Sequence, residues 1–157
     1  MKWILIATLI GVIMLIAYGL SEQYKERFDF YQNLKLFLNQ FKLNLSFKQE
    51  KIGEFLERVE CKRQFKIFIE EYQTYLKGGK MNLARIKAID SEDIPILQDI
   101  VKNIGSFDAK NEVEQLNTFL LTVDARLVEA EKNKTKLCPM IIKLSLLFAV
   151  GLAILLY

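Results

Sequence analysis

Residues 3–20 read WILIATLIGVIMLIAYGL, eighteen consecutive residues without a charged side chain. Residues 137–157 read LCPMIIKLSLLFAVGLAILLY, in which Lys143 is the only charge. An α-helix needs roughly 20 apolar residues to cross a hydrocarbon layer of about 30 Å. Lys143 lies early in its run, where its long side chain can return the ammonium group to the lipid headgroups. The two runs therefore predict transmembrane helices at 1–20 and 137–157.

A secretory signal peptide is the alternative interpretation of the first run. Ala17-Tyr18-Gly19 loosely resembles a cleavage site, and Lys2 supplies a basic start. The apolar stretch is longer than the roughly 7 to 15 residues of a signal peptide. We therefore expect the first run to be retained, with an exported, tail-anchored protein as the alternative that cleavage would produce.

Basic residues beside the second run predict the orientation of the chain in the membrane. Lys132, Lys134 and Lys136 precede it, and no positive side chain follows Lys143. Because Lys and Arg collect on the cytoplasmic side of membrane helices, residues 21–136 are predicted to lie in the cytoplasm. Two spans then place both termini outside.

The overall composition argues against several classes of function. The net charge of +3 over 157 residues is too small to indicate a nucleic-acid-binding protein. His is absent, which removes the commonest general base and metal ligand, and two Cys cannot form a zinc site alone. We expect no catalytic residue, no cofactor site and no metal site.

The segment 21–136 carries apolar residues at helical spacing. A first series steps by three or four residues through Tyr24, Phe28, Tyr31, Leu34, Leu38, Phe41 and Leu45. A second series does the same through Val113, Leu116, Leu120, Val123, Leu127 and Ala130. This spacing puts each series on one face of a long helix. We predict an all-α fold, a cytoplasmic antiparallel helical bundle flanked by an N-terminal and a C-terminal transmembrane helix, with an exposed coiled-coil surface as the alternative role of the two faces.

Shorter helices are predicted between these two long ones. They cover about residues 52–59, 65–76 and 93–104, and glycines at Gly78-Gly79 and Gly105 end the last two. Pro95 suits a first helical turn because its missing N–H is not needed there. Pro139 predicts a break or kink just before the second span.

Four residues near the third short helix are candidates for a structural role or for contact with a partner: Glu92, Asp93, Gly105 and Asp108. Acidic side chains at a helix start are favourable because they accept hydrogen bonds from free N–H groups and face the positive end of the dipole. Capping is therefore the first interpretation of these carboxylates, and an exposed contact with a partner is the second. Cys61 and Cys138 are expected to pack as small apolar side chains.

The order of these features resembles the stage III sporulation protein AB family. The stretch that carries the resemblance most specifically is 89–108, which contains Glu92-Asp93, Leu97 and the turn Ile104-Gly105-Ser106-Phe107-Asp108. These residues follow the family's Glu-Asp helix start and its Leu-Gly-x-Ser-Asp break. The approach to the last span, Glu129-Ala130-Glu131-Lys132-Asn133, is similar too.

The resemblance implies a specific role. Members of this family are non-enzymatic membrane components of the complex that joins mother cell and forespore during endospore formation. They are similar to the cytoplasmic domain of the inner-membrane platform protein of type II secretion and type IV pilus systems. The implied partners are a cytoplasmic secretion-type ATPase, for which the protein would be the membrane dock, and other membrane proteins of the channel. From the sequence itself we expect contact with the lipid bilayer and no nucleic-acid partner, with a homo-oligomer as an open alternative to a single copy. A membrane-bound regulator of the envelope is the alternative function.

Overall fold

The computed structural model describes residues 2–47, 51–61, 63–105 and 109–156. Within these ranges five α-helices follow one another, with a 3-10 turn at Leu83–Arg85 before the fourth. Their bounds are α1 Lys2–Phe47, α2 Ile52–Arg58, α3 Arg63–Leu76, α4 Ile94–Asn103 and α5 Ala109–Leu156. Across these described ranges there is no β-strand, so the all-α prediction is confirmed.

The two long helices contain the predicted spans. The helical segments Ile6–Phe47 and Asn111–Leu155 each contain an 18-residue window apolar enough to cross a membrane, with mean hydropathies of 1.6 and 2.3. Only 11% of each window is buried inside the protein. A core helix of a soluble protein would be mostly buried, so these exposed apolar surfaces are consistent with contact with lipid.

The chain divides into two compact units. Unit 1 comprises residues 1–28 and 129–157, and unit 2 comprises Asp29–Val128. Within the described part of unit 1, every buried side chain is small: Ala17, Ser21, Ala130, Cys138 and Ala149. Small side chains let two helix backbones approach closely, which is the common packing mode of helices in membranes.

Two contacts in unit 1 show that its helices run antiparallel. The Cys138 thiol donates a hydrogen bond to the Ser21 carbonyl oxygen at 3.4 Å. One to two turns further along each helix, the Lys134 ammonium lies 3.9 Å from the centre of the Phe28 ring. The expectation that Cys138 packs as a small side chain is confirmed, because it is 7% exposed.

Unit 2 is built around an aromatic core. Phe30 of α1 contacts Phe65 and Phe68 of α3 with ring centres 5.9 and 6.0 Å apart. Phe37 and Phe41 of the same helix contact Phe55 of α2 at 5.7 and 5.3 Å. Large rings such as these bury much apolar area, and edge-to-face contacts add about 0.5–1.5 kcal/mol for each pair. They hold α2 and α3 against one side of α1.

The predicted stripes pack mostly inside the protein. On α1, Tyr31, Leu34, Leu38, Phe41 and Leu45 are buried, and Tyr24 and Phe28 are half-buried. On α5, Leu116, Val123 and Ala130 are buried, and the other three members are half-buried. The intramolecular interpretation of the stripes is therefore confirmed. The predicted series omitted Phe30 and Phe37, which widen the buried face of α1.

The short helices and their glycine ends also agree with the predictions. Gly78 has φ +85° and Gly105 has φ +87°, the left-handed conformation that glycine adopts at low cost. Pro95 lies in the first turn of α4, as predicted. Cys61 follows α2 and is half-buried, so the expectation that it packs as a small apolar side chain is met only in part.

The predicted break at Pro139 does not occur. Helix α5 continues from Ala109 to Leu156 with Pro139 inside it. Proline removes one helical hydrogen bond, the one its N–H would have given to the carbonyl of Thr135. The turns on both sides keep theirs, and apolar membrane helices tolerate such an interruption. The loss of one bond is therefore not enough to end this helix.

Candidate functional site

The start of α4 is held by a buried carboxylate. Asp93 is only 1% exposed, and its Oδ2 accepts a hydrogen bond from the Tyr31 hydroxyl of α1. Its Oδ1 lies 3.2 Å from Nε of Arg126 on α5. One side chain thus joins three helices. Hydrogen bonds that involve a charged group are roughly twice as strong as neutral ones.

This geometry corrects the expected role of Asp93. The residue occupies the N-cap position, but its side chain makes no capping hydrogen bond. Its backbone has helical angles, φ −88° and ψ −16°, whereas a capping side chain usually stands on an extended backbone. The carboxylate turns into the unit because a cation and a hydroxyl are available there. Neither capping nor exposure to a partner applies to Asp93.

The other end of α4 is fixed by a second carboxylate. The N–H of Gly105 donates a hydrogen bond to Oε1 of Glu112 in the first turn of α5. A Cβ on Gly105 would lie 2.9 Å from Cγ2 of Ile52, so a side chain does not fit. Burial raises the pKa of the Glu112 carboxyl, and the hydrogen bond from Gly105 lowers it in part. Gly105 follows the end of α4 in the left-handed conformation, as the sequence predicted for a glycine that ends this helix.

Tyr72 supports the same end of α4 from α3. Its hydroxyl donates to the carbonyl oxygen of Ile104 at 3.4 Å, and the ring is fully buried. Burial raises the pKa of Tyr72 strongly, with a smaller contribution from the charge of Glu112. The hydroxyl therefore stays protonated and acts as a hydrogen-bond donor.

The remaining two candidates lie apart from these contacts. Glu92 is exposed, immediately before the buried Asp93. Asp108 lies outside the described residues. Of the three candidates that the structure describes, Asp93 and Gly105 fix the position of α4, and the carboxylate of Glu92 is exposed to solvent.

A third buried carboxylate, Glu71, was not among the residues that the sequence singled out. Glu71 is 5% exposed, accepts the backbone N–H of Asn82 at 2.7 Å and pairs with Arg85 at 2.7 Å. It holds the connection that follows Gly78 against α3. Its place beside Tyr72 and three residues after Phe68, both fully buried, was the signal that could have found it.

An open groove lies between the end of α1 and α2. Its volume is about 580 Å³, and its walls include Phe47, Phe55, Arg58 and Glu60. Phe47 is 83% exposed. Aromatic residues and Arg are the side chains that most often dominate the energy of protein contacts. The groove is therefore a candidate contact surface.

The buried Asp93 and Glu112 carboxylates stabilise the fold by contacting other groups of the protein. In the part of the chain that the structure describes, no group of three or more Cys, Asp or Glu side chains could hold a metal ion. Asp93 and Glu112 are each bonded to groups of the protein itself. A buried carboxylate that is already hydrogen-bonded supports a fold by holding elements together.

Comparison with known proteins agrees with the sequence resemblance. The family described as stage III sporulation protein AB (spore_III_AB) has a model that matches residues 2–157, essentially the whole chain. Neither the curated proteins nor the solved structures gave a match. The stretch that carried the resemblance, 89–108, includes both ends of α4, where the buried polar contacts are found.

Proposed function

Because this chain belongs to the stage III sporulation protein AB family, we propose that it is a membrane-tethered structural adaptor of the channel complex between mother cell and forespore. Membership of the family implies a role in sporulation. Two exposed apolar helical segments support the tether, and the packed helices of unit 2 support a soluble contact domain. The match over residues 2–157 is the observation that carries the proposal.

The proposed orientation places unit 2 in the cytoplasm of the mother cell. Lys132, Lys134 and Lys136 stand before the second span, and this basic cluster favours the cytoplasmic side. Both ends of the chain would then lie outside. A signal peptide cleaved after Gly19 would instead export the middle of the chain.

The native cysteines allow a direct test of this orientation. Cys61 is half-buried and Cys138 is buried, so a membrane-impermeant maleimide should react mainly with Cys61. Burial raises the pKa of the Cys61 thiol, so labelling should be done above neutral pH. We expect labelling only after the cells are permeabilised, and the C61S variant provides the background. Labelling of Cys61 in intact cells would reject the cytoplasmic orientation.

The proposed partner of unit 2 is the cytoplasmic secretion-type ATPase of the same complex. The protein itself is proposed to have no enzymatic activity, because the chain contains no His and its buried carboxylates are engaged in structural contacts. The exposed Glu92 and the groove beside Phe47 are the proposed contact points. Other membrane proteins of the channel are proposed to contact the spans.

Co-purification of the full-length chain with the ATPase tests this partner. We expect Glu92→Lys and Phe47→Ala each to reduce the recovered ATPase, because both side chains are exposed and neither supports the core. Glu57→Lys is the matched control, since Glu57 is an exposed acidic residue of α2. Absence of the ATPase from the unmodified protein would reject docking. Normal recovery with both variants would place the contact elsewhere on unit 2.

A further inference from the structure

The long helices of unit 2 expose apolar residues on the side away from the core. Leu36 and Leu43 of α1 are 53% and 59% exposed, and Leu121 and Val128 of α5 are 73% and 64% exposed. Leu43 also lies at the edge of the groove beside Phe47. Ala125 is also exposed. Their spacing of seven residues on α1, and of four and three on α5, puts each set on a single helix face. We call these five residues the outer face.

The two sets lie on the same side of the helix pair. Lys35 contacts Asp124 at 2.7 Å, and Lys42 contacts Asn117 at 2.7 Å, so α1 and α5 run side by side and antiparallel in unit 2. Both helices turn their buried stripes toward α2, α3 and α4. The outer face is therefore continuous across the pair. Leu and Val rarely cluster in water without a partner.

The charges beside the outer face are divided between the helices. From 32 to 47, α1 contains Lys35 and Lys42 and no acidic residue. From 113 to 128, α5 contains Glu114 and Asp124, and its one basic residue, Arg126, is paired with the buried Asp93. Lys42 bonds to the neutral amide of Asn117, and its ammonium makes no ion pair with any described residue. A surface with a cationic half and an anionic half is complementary to a second copy of itself.

We propose that the outer face binds the outer face of a second copy of this chain. A two-fold axis parallel to the helix pair puts α1 of each copy beside α5 of the other at the same level. The four helices then form an antiparallel bundle with the exposed leucines inside. Lys42 of each copy lies near Glu114 of the other, because Glu114 stands one turn from Asn117, the residue that Lys42 already contacts. This contact goes beyond ATPase docking and does not require it.

Two differently tagged full-length copies, co-expressed and extracted in mild detergent, test the proposal. Capture of one tag should recover the other. We expect Leu121→Glu and Leu43→Glu to reduce that recovery by about tenfold or more, because a buried unpaired carboxylate opposes association. Leu76→Glu is the matched control, since Leu76 of α3 is exposed but lies off the outer face. Circular dichroism at a protein concentration too low for self-association should show unchanged helicity and Tm for all three variants.

A charge exchange distinguishes contact between copies from an effect within one copy. Lys42→Glu alone and Glu114→Lys alone should each weaken self-association, because each sets like charges against one another. A mixture of a tagged K42E copy with a differently tagged E114K copy should restore recovery, because every pair is again of opposite sign. Rescue in the mixture cannot arise from folding of either variant.

Three results would overturn the proposal. First, capture of one tagged copy of the unmodified protein could fail to recover the copy that carries the other tag. L121E and L43E could associate as well as the unmodified chain, which would assign association to the spans. The K42E and E114K copies could fail to rescue each other. None of these measurements involves the ATPase, so failure of self-association and failure of docking are separate outcomes.

Discussion

Tyr31 of α1 donates a hydrogen bond to Asp93 at the start of α4, across 62 residues of chain. Arg126 of α5 approaches the other oxygen of the same carboxylate at 3.2 Å. A buried charge is tolerated when it is paired and hydrogen-bonded. The position of α4 therefore depends on two partners that come from the two long helices.

Removal of the Tyr31 hydroxyl tests this contact. We expect Tyr31→Phe to lower the free energy of unfolding by about 1–3 kcal/mol, because the buried carboxylate loses one hydrogen bond. Urea unfolding of the full chain in mild detergent, followed by circular dichroism, measures the change. Tyr75→Phe on α3 is the control, because its half-buried ring is not part of this cluster. Equal stability of Y31F and the unmodified protein would contradict the role of the bond.

Substitution of Gly by Ala is expected to have opposite effects on stability at Gly105 and at Gly53. Gly105→Ala should destabilise the protein by about 1–2 kcal/mol, because a residue with a Cβ is strained at positive φ. The new methyl would also press on Ile52. Gly53→Ala in α2 has open space around the added carbon and should stabilise the helix by about 0.5–1 kcal/mol. Thermal unfolding of both variants decides the matter, and a gain in Tm for G105A would refute the account.

Glu112 should make stability depend on pH. Burial raises its pKa in the folded protein above the usual 4.5, so the folded state holds the proton more tightly than the unfolded chain. Its contribution is fully present below pH 4.5 and is lost as pH rises through the folded pKa. We expect Glu112→Gln to flatten the unfolding free energy over that range. Glu54→Gln, at an exposed position of α2, is the matched control.

Leu116 and Leu121 lie on the buried and the exposed side of α5, respectively, so their substitution should have different costs. Leu116 is fully buried, and Leu116→Ala should cost about 2–5 kcal/mol, because it removes packed methyl groups and leaves a cavity. Leu121 is 73% exposed, and Leu121→Ala should change the unfolding free energy by about 0.5 kcal/mol or less. Chemical unfolding at a fixed low protein concentration measures both. Similar losses for the two variants would show that the buried and exposed sides of α5 are assigned wrongly.

Much of the fold could be predicted from local patterns. Apolar spacing located α2, α3 and α4 within one or two residues, and the two glycines marked the ends of α3 and α4. These features depend on neighbouring residues, which a sequence displays directly. Phe30 and Phe37 were missed because the buried face of α1 is wider than a series stepping by three and four.

The candidate site was predicted less well, for a physical reason. Asp93 before a helix has the local pattern of a cap, and only the fold shows that Tyr31 and Arg126 compete for its carboxylate. Those partners are distant in the sequence, so no spacing rule reveals them. The break expected at Pro139 was wrong, since the helix continues through this residue, and a kink there stays a prediction. The ATPase contact and the orientation in the membrane stay predictions.

The small buried side chains of unit 1 determine which substitutions its helices tolerate. In unit 2, trimming a buried ring would leave an empty space, whereas Ala17 and Ala149 have almost nothing to trim. Enlargement is the damaging change there, because a bulky group would act as a wedge between backbones that lie close together. Natural variation at Ala149 should therefore be restricted to Gly, Ala and Ser, while the exposed leucines around it exchange freely with other apolar residues.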